Sequence, residues 1–339
     1  MNINYFRMKR NLKDPFKMVK NMNKDTNKDY TLTFGIEEFA SSFGCAPETF
    51  SAGLCKTIEV LNFNYRKPTF EENENLILEA LLKIESDTQV IGADERSEVW
   101  FNGWQENLQM YRDSGFDDAS LTPKFVRAGN PVRLNKKFVF PEDSNFELNF
   151  IEVYRQWFIE TYLKDVNNVY EFGCGTGFNL LHVNRVFPDK NLFGSDFVQS
   201  SVDLVNELSK QKGIPLIGDL FDMLKPDFDY NLPSKSGVYT FGSLEQLASN
   251  LDPMFEFLLS KEIDVCIHTE PAIELYEDDS VVDYLGKKFQ GKRGYTSGLI
   301  AKLRELEADG KIEILQLKRL YFGSFFMEGY NLMVWKPKK

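Results

Sequence analysis

The chain of 339 residues has few of the residues that build metal centres or disulfide frameworks. It contains two histidines and four cysteines, and no two cysteines form a Cys-x-x-Cys pair. A histidine-rich metal site is therefore excluded, and we expect no bound metal and reduced thiols. No apolar run approaches the roughly 18 residues of a membrane-spanning helix, and no signal peptide is visible. These absences favour a cytoplasmic protein that does not enter a membrane.

The chain is acidic, with a formal net charge of −11, but its first 30 residues hold eight Lys/Arg against three Asp. An acidic body argues against a nucleic-acid partner, because phosphate binding requires a basic face. We interpret residues 1–29 as a flexible basic tail that is mostly solvated. Contact of this tail with RNA or anionic lipid is the alternative.

The region from residue 30 to residue 164 is predicted to form a mostly helical domain. Apolar periodicity indicates helices over residues 36–43, 71–84, 98–111 and 146–163. Alternating residues around Asn135-Lys136 predict a small hairpin over residues 132–140. The region is rich in aromatic side chains, which either pack a core or line a substrate pocket: Trp100, Phe101, Trp104, Tyr111, Trp157 and Phe158. Arg127 and Arg133 are candidates to clamp an anionic substrate group.

The second half, residues 165–339, alternates short apolar strands with helices. This alternation indicates a parallel sheet that is covered on both faces. The last two strands, residues 311–319 and 330–335, follow each other without a helix, so they are expected to pair antiparallel at one edge. The predicted fold is therefore α/β, with a Rossmann-like, doubly wound sheet of seven strands and an antiparallel last strand, preceded by the mostly helical domain.

A glycine-rich turn near the midpoint is the most informative stretch of the chain. The apolar run that contains Glu171 leads into Gly173, Gly175 and Gly177, and a helical apolar pattern starts at Phe178. Glycines allow a turn with positive φ, close approach of a ligand to the backbone, and tight packing of helix on strand. The N-terminus of the following helix offers free N–H groups to a carboxylate or phosphate. The sequence thus predicts a nucleotide-type site at this turn.

Two further strands end in aspartate at regular spacing. Asp196 closes the second strand, nineteen positions after Gly177, and Asp219 closes the third. In nucleotide-binding α/β folds a carboxylate at the first of these places accepts hydrogen bonds from the ribose hydroxyls. Strand-end capping is the plainer interpretation of Glu171 and Asp196, and their joint spacing argues against it.

With these motifs, residues 165–339 resemble the class I S-adenosylmethionine-dependent methyltransferases. The family's acid and Gly-x-Gly-x-Gly motif, its ribose-binding acid and its acid near the adenine amino group all have matches here. The resemblance implies S-adenosylmethionine as cofactor, held by Glu171, Gly173, Cys174, Gly175, Gly177, Asp196, Phe197, Asp219 and Leu220.

Departures from the family's motifs narrow the implied substrate. Members that methylate nucleobase or glutamine nitrogens carry Asp/Asn-Pro-Pro-Tyr after the fourth strand, where this chain has Phe241-Gly242-Ser243-Leu244. The Asp ligands of metal-dependent catechol-type members are also missing. By analogy with members that carry a lid, we expect methyl transfer to a small hydroxylated metabolite or sugar, with oxygen as the acceptor. Transfer to an amine or a protein side chain, a non-catalytic cofactor-binding partner subunit, and a nicotinamide dehydrogenase are the alternatives. A homodimer is left open.

The candidate catalytic residues lie at the end of the fifth strand. His268 is the predicted proton acceptor, and Glu270 is predicted to orient it or to hold a second hydroxyl. A buried histidine that only packs the sheet is the alternative for His268. Glu245 is either another base or a helix-start carboxylate, and His182 is expected to be structural.

Overall fold

The computed structural model describes residues 30–90, 96–122, 126 and 128–338, and it places the strands in two sheets. The predicted basic tail lies outside these residues, as does Arg127. We number the elements in chain order. The α-helices are α1 Ile36–Phe43, α2 Ala52–Val60, α3 Phe70–Ser86, α4 Arg96–Asp113, α5 Phe146–Tyr162, α6 Phe178–Val186, α7 Gln199–Lys212, α8 Asp252–Leu259, α9 Val281–Arg293 and α10 Leu299–Ala308. The strands are β1 Leu32–Thr33, β2 Asn64–Arg66, β3 Val132–Leu134, β4 Lys137–Pro141, β5 Asn168–Phe172, β6 Asn191–Asp196, β7 Leu216–Leu220, β8 Ser236–Phe241, β9 Val265–Glu270, β10 Ile312–Lys318, β11 Phe322–Gly323 and β12 Asn331–Pro337.

The larger sheet has seven strands in the order β10-β12-β9-β8-β5-β6-β7. Strands β5 to β9 are parallel to one another, and β12 runs antiparallel to both β9 and β10. This arrangement confirms the predicted doubly wound sheet and its antiparallel last strand. Chain order reverses at β5, so β5 has β6 on one side and β8 on the other. In such sheets a ligand binds beyond the carboxyl ends of the strands at this point.

A smaller, five-stranded sheet has the order β1-β2-β4-β3-β11. The predicted hairpin forms its centre, where β3 and β4 pair antiparallel through a turn with positive φ at Asn135 (50°) and Lys136 (60°). Two positive φ values match the right-handed twist of the strands that flank a two-residue turn. The edge strand β11 comes from the second half of the chain and pairs with β3. The region of residues 30–164 is thus rich in helices, and its sheet is completed by a later strand.

The longest stretch of core runs through α5, which packs between the two halves of the chain. Its buried side chains include Phe150, Tyr154, Trp157, Phe158 and Ile159, as the apolar spacing predicted. One continuous apolar cluster joins them to residues of β5, β6 and β12. None of the helices in the described ranges combines the length and apolarity that a bilayer-spanning segment requires.

Candidate functional site

The glycine turn joins β5 to α6 at the reversal point of the larger sheet. Gly173, Gly175 and Gly177 all have positive φ, at 74°, 54° and 73°. At Gly173 the lack of a side chain is also a packing requirement, because a Cβ there would lie 2.3 Å from the Cβ of Ser243. The sequence prediction of a tight turn is therefore matched by the backbone, since side chains are strained in this region of φ.

Asp196, at the end of β6, faces the glycine turn. Its Oδ2 accepts a hydrogen bond from the Gly175 N–H at 3.0 Å, and its Oδ1 accepts one from Val198 N–H at 3.3 Å. Burial raises the pKa of this carboxyl to about 6. Asp196 thus ties the turn to the neighbouring strand and lies next to the backbone that a ligand would approach.

The other predicted contacts lie at the adjacent strand ends. Residues Asp196 and Leu220 are directly paired across β6 and β7. The side chain of Phe197 is 44% exposed and that of Leu220 is 55% exposed, so both offer apolar surface beside the turn. Asp219 accepts a hydrogen bond from the Tyr230 hydroxyl at 3.2 Å. Two acids and two exposed apolar side chains are therefore brought together at one end of the sheet.

A cavity of about 70 Å³ lies beside the glycine turn. It is lined by the turn itself, by both tryptophans of α4 and by polar and apolar side chains from α5, α6 and β8. The lining residues are Trp100, Trp104, Val126, Leu148, Ile151, Arg155, Glu171, Gly173, Cys174, Gly175, Thr176, Phe178, Asn179, Phe241 and Gly242. Four of the predicted cofactor-binding residues, all in or next to the turn, are thus in the wall of one cavity.

Among the described residues that line the cavity, Glu171 is the one carboxylate. It is 1% exposed, and it accepts hydrogen bonds from Asn179 Nδ2 at 2.7 Å and from the Tyr239 hydroxyl at 2.9 Å. Burial raises the pKa of Glu171 to about 8, because neither partner offsets the loss of water around the charged form. Near neutral pH this group is therefore mostly protonated and can ionise when a cation binds beside it.

Arg155 of α5 is the cavity residue that sequence reasoning missed. Its side chain is fully buried, and Nη1 donates to Asn179 Oδ1 at 2.9 Å. The Nε–H is buried and finds no hydrogen-bond partner among the described residues. A buried donor without a partner costs free energy, so it marks a place where a ligand acceptor fits. The available signal was a lone arginine within the apolar face of the predicted helix, between Tyr154 and Trp157.

Trp104 closes the cavity over the glycine turn. A Cβ at Gly175 would lie 2.9 Å from the ring of Trp104, so this ring lies in contact with the turn. The ring of Trp100 stacks on that of Trp104, with centroids 5.4 Å apart. Of the aromatic residues that the sequence offered as core or pocket, these two face the cavity, whereas Trp157 and Phe158 are buried in the core.

The predicted catalytic residue His268 lies in the core of the sheet and not in the cavity wall formed by the described residues. Its Nδ1 is 2.9 Å from Thr240 Oγ1, and its Nε2 accepts from Trp335 Nε1 at 2.9 Å. The ring is near Phe255 as well as Trp335, and burial lowers the pKa of His268 to about 3. Both nitrogens are therefore engaged, which favours the packing alternative over the role of proton acceptor.

Glu270 is also placed differently from the prediction. Its Oε1 accepts hydrogen bonds from the N–H groups of Ser243 and Leu244, both at 3.1 Å, and its Oε2 accepts one from Glu245 N–H at 3.3 Å. These amides open a short 3-10 helix, so the carboxylate caps its positive end. Burial outweighs these bonds and a further one from the Thr240 side chain, and it raises the pKa of Glu270 to about 7. Its geometry is that of a cap, and the Thr240 hydroxyl lies between Glu270 and Nδ1 of His268, the residue that Glu270 was expected to orient.

Three further candidates are placed outside the cavity wall. Glu245 lies in the first turn of the same 3-10 helix, in agreement with its helix-start alternative. Arg133 donates to the backbone carbonyls of Phe325, at 3.0 Å, and of Val282, and its side chain is buried away from this cavity. His182 lies behind Arg155 and contacts it directly.

No protein-family model matches the chain, and no curated protein does. Among solved structures, the chain is similar to a geranyl diphosphate C-methyltransferase from Streptomyces coelicolor A3(2), at 17% identity and a TM-score of 0.43, over 69% of this chain and 98% of that one. It is similar to the [4+2]-cyclase SpnF at 15% identity and a TM-score of 0.45, over 69% of this chain and 95% of that one. An rRNA methylase from Escherichia coli gives 12% identity and a TM-score of 0.42, over 77% of this chain and 100% of that one. At these low values we base the function on the chain's own residues.

Proposed function

We propose that the chain is an S-adenosylmethionine-dependent methyltransferase. The observation that carries the proposal is the pairing of Glu171 and Arg155 in one cavity beside the glycine turn. The first offers a carboxyl group for an ammonium, and the second offers an unpartnered N–H for a carboxylate. Asn179 bridges the two at 2.7 Å and 2.9 Å, which keeps them a fixed distance apart. Such a pair suits the amino-acid end of the cofactor.

The opposite end of the cofactor would lie at the ends of β6 and β7. Asp196 suits the ribose hydroxyls, Asp219 suits the adenine amino group, and Phe197 and Leu220 suit the two faces of the base. This assignment is supported by their grouping at one sheet end and by the exposure of the two apolar side chains. When bound, the cofactor supplies an activated methyl group, and the chain's own residues hold the acceptor in line with it.

We place the acceptor against the apolar part of the cavity lining. Trp100, Leu148, Ile151 and Phe241 belong to this part. A sugar placed against these side chains would leave several hydroxyls unpaired, which is costly in a site without water. We therefore favour a small, flat acceptor with one hydroxyl group, such as a phenol, over a sugar. Oxygen remains the proposed methylated atom.

Helix α4 is proposed to act as a lid on this site. A cavity of about 70 Å³ is far smaller than the roughly 300–1,000 Å³ of pockets that hold drug-sized ligands. A ligand that reaches from Asp196 to Arg155 must pass over Gly175, where the ring of Trp104 now lies. The lid is attached through Ser200 Oγ, which donates to the Phe101 carbonyl at 2.8 Å, a contact that an outward movement would break.

Calorimetry with S-adenosylhomocysteine, and with NAD⁺ as the competing ligand, tests the cofactor. Binding of the first and not of the second is expected, and the reverse would overturn the proposal in favour of a dehydrogenase. Incubation with methyl-labelled S-adenosylmethionine and a panel of phenols, amines and sugars then tests transfer. Label in the phenols is expected. Tight cofactor binding without transfer to any acceptor, including a size-fractionated extract, would instead indicate a non-catalytic partner subunit.

A further inference from the structure

We propose that His182, together with Glu152, positions Arg155 for the carboxylate of the cofactor. This inference rests on the proposed function and adds to it a reason for cofactor selectivity. Neither residue is in the cavity wall as the described residues form it, so both would act through Arg155 alone. They are positioning residues on α5 and α6, the two helices that also carry Arg155 and Asn179.

The contacts on the far side of Arg155 are specific. Its Nη2 lies 2.7 Å from His182 Nε2 and donates to Glu152 Oε2 at 2.6 Å. An arginine has only donors, so His182 Nε2 must accept, and the ring hydrogen is then on Nδ1. That nitrogen lies 3.2 Å from Glu152 Oε1, which can accept its hydrogen. The three side chains therefore satisfy one another in a single tautomer of the imidazole.

The environment of His182 keeps its ring neutral. Burial, followed by the charge of Arg155, lowers the pKa of His182 to about 4. Arg185, whose Nη1 is 3.4 Å from His182 Nε2, adds positive charge. Among the described residues, Glu152 is the one acid that faces the ring. The ring of Phe178 packs edge-on against it. A neutral ring is what an acceptor for Arg155 requires.

These contacts decide which edge of the guanidinium is available. Nη1 is bound by Asn179, Nη2 is bound by His182 and Glu152, and the carbon of the group lies 4.5 Å from the centre of the Phe178 ring. Of the five N–H hydrogens, the one on Nε and the second one on Nη1 are left over, and Nε is the nitrogen without any partner among the described residues. Without the acceptor on His182, Nη2 keeps only the partly exposed Glu152, so the orientation is held less firmly and the match to a carboxylate is weakened.

The test compares two ligands that differ in the amino-acid group. S-adenosylhomocysteine carries the carboxylate and ammonium, whereas 5′-methylthioadenosine keeps the adenosine and the thioether only. In the wild type the first should bind more tightly. His182→Phe, which removes the acceptor, should weaken S-adenosylhomocysteine about tenfold and change 5′-methylthioadenosine less than twofold. Arg155→Met should show the same loss of selectivity.

Conservative and matched variants separate positioning from packing. His182→Gln retains an acceptor for Arg155 and should restore most of the selectivity. His268→Gln removes a second buried histidine that is bonded elsewhere, so it should lower the melting temperature and leave the ratio of the two affinities unchanged. If His182→Phe does not fold, Glu152→Ala replaces it in the test. The Glu152 side chain is 34% exposed, so the variant should fold, and the loss of its carboxylate should also reduce the ratio of the two ligand affinities.

The inference is overturned if His182→Phe, or Glu152→Ala in its place, keeps the wild-type ratio of affinities. It is also overturned if His182→Gln reduces the ratio of affinities as much as His182→Phe does, since a hydrogen-bond acceptor for Arg155 would then not account for the selectivity. A wild type that binds neither ligand would overturn the proposed function itself. The two failures are therefore distinguishable in one set of titrations.

Discussion

Replacing Glu171 with glutamine should abolish a proton release that accompanies cofactor binding. The carboxyl group is fully buried, and its pKa is raised to about 8. A ligand ammonium placed beside it favours the ionised form, so binding must expel the proton. Glutamine keeps an acceptor for Asn179, which donates at 2.7 Å, and the Tyr239 hydroxyl can reverse its role, so the variant should fold.

The size of the effect follows from the pKa. At pH 7 a group with a pKa of about 8 is roughly 90% protonated, so the wild type should release about 0.9 proton for each S-adenosylhomocysteine bound. If only the ionised form binds well, the affinity should rise almost tenfold from pH 6 to pH 7 and about fivefold more from pH 7 to pH 8. At higher pH the rise should end and reverse, because the ligand's own ammonium then loses its proton. Glu171→Gln should show neither the release nor the rise.

Titration calorimetry in two buffers with different ionisation enthalpies measures the released protons directly. 5′-Methylthioadenosine, which has no ammonium, is the control ligand and should release none. A wild type that releases no proton would show that the ammonium does not lie beside Glu171. Equal release by the wild type and Glu171→Gln would assign the proton to another group, and either result would refute the reasoning.

The remaining predictions concern the ribose contact, the lid, the turn and the pH dependence of stability. Asp196→Ala should weaken S-adenosylhomocysteine by about 1–3 kcal/mol, because two ribose hydroxyls lose their acceptor, and unchanged affinity in calorimetry would remove the residue from the site. Trp104→Ala should raise the association rate severalfold in stopped-flow fluorescence, since its ring lies over the turn; an unaltered rate would contradict the lid. Gly173→Ala should cost about 2–4 kcal/mol in urea unfolding, because the new Cβ would lie 2.3 Å from that of Ser243 at a φ of 74°, and a neutral result would show that the turn can relax. Because the pKa of Glu171 is raised from 4.5 to about 8, the native state holds more protons than the unfolded state between these values, so the free energy of unfolding should fall with rising pH. From pH 6.5 to pH 8 this one group should account for a loss of about 1–2 kcal/mol, and chemical denaturation that finds stability constant or rising over this range would contradict it.

The turn, the hairpin and the strand–helix alternation could be read from the sequence because their causes are local. Three glycines at alternate positions permit the positive φ values of the turn, whatever surrounds it. Asn135 and Lys136 form the two-residue turn of the predicted hairpin for a similar reason. The antiparallel edge follows from two strands with no helix between them, which cannot connect as parallel neighbours. Apolar periodicity likewise predicted α1, α3, α4 and α5.

Short elements escaped prediction where pairing is long-range. β11 has two residues, Phe322–Gly323, and exists as a strand because it pairs with β3, nearly two hundred positions earlier. Its sequence alone contains too few residues for an alternating pattern. Two helices were also not predicted, α2 at Ala52–Val60 and α9 at Val281–Arg293.

The roles of the polar side chains were decided by tertiary structure. His268 and Glu270 are two positions apart within β9, so their side chains lie on the same face of the sheet, yet distant elements give them different partners. One meets Trp335 in the core, and the other meets the amides that follow β8. In the sequence, Arg155 is one polar residue in an apolar helix. In the fold, Asn179 of α6 binds its Nη1, and the cavity wall that α6 and β5 form leaves its Nε–H without a partner. Sequence pattern therefore located the glycine turn and the strand-end acids of the proposed site, whereas the partners that give each ionisable group its pKa come from elements far apart in the chain.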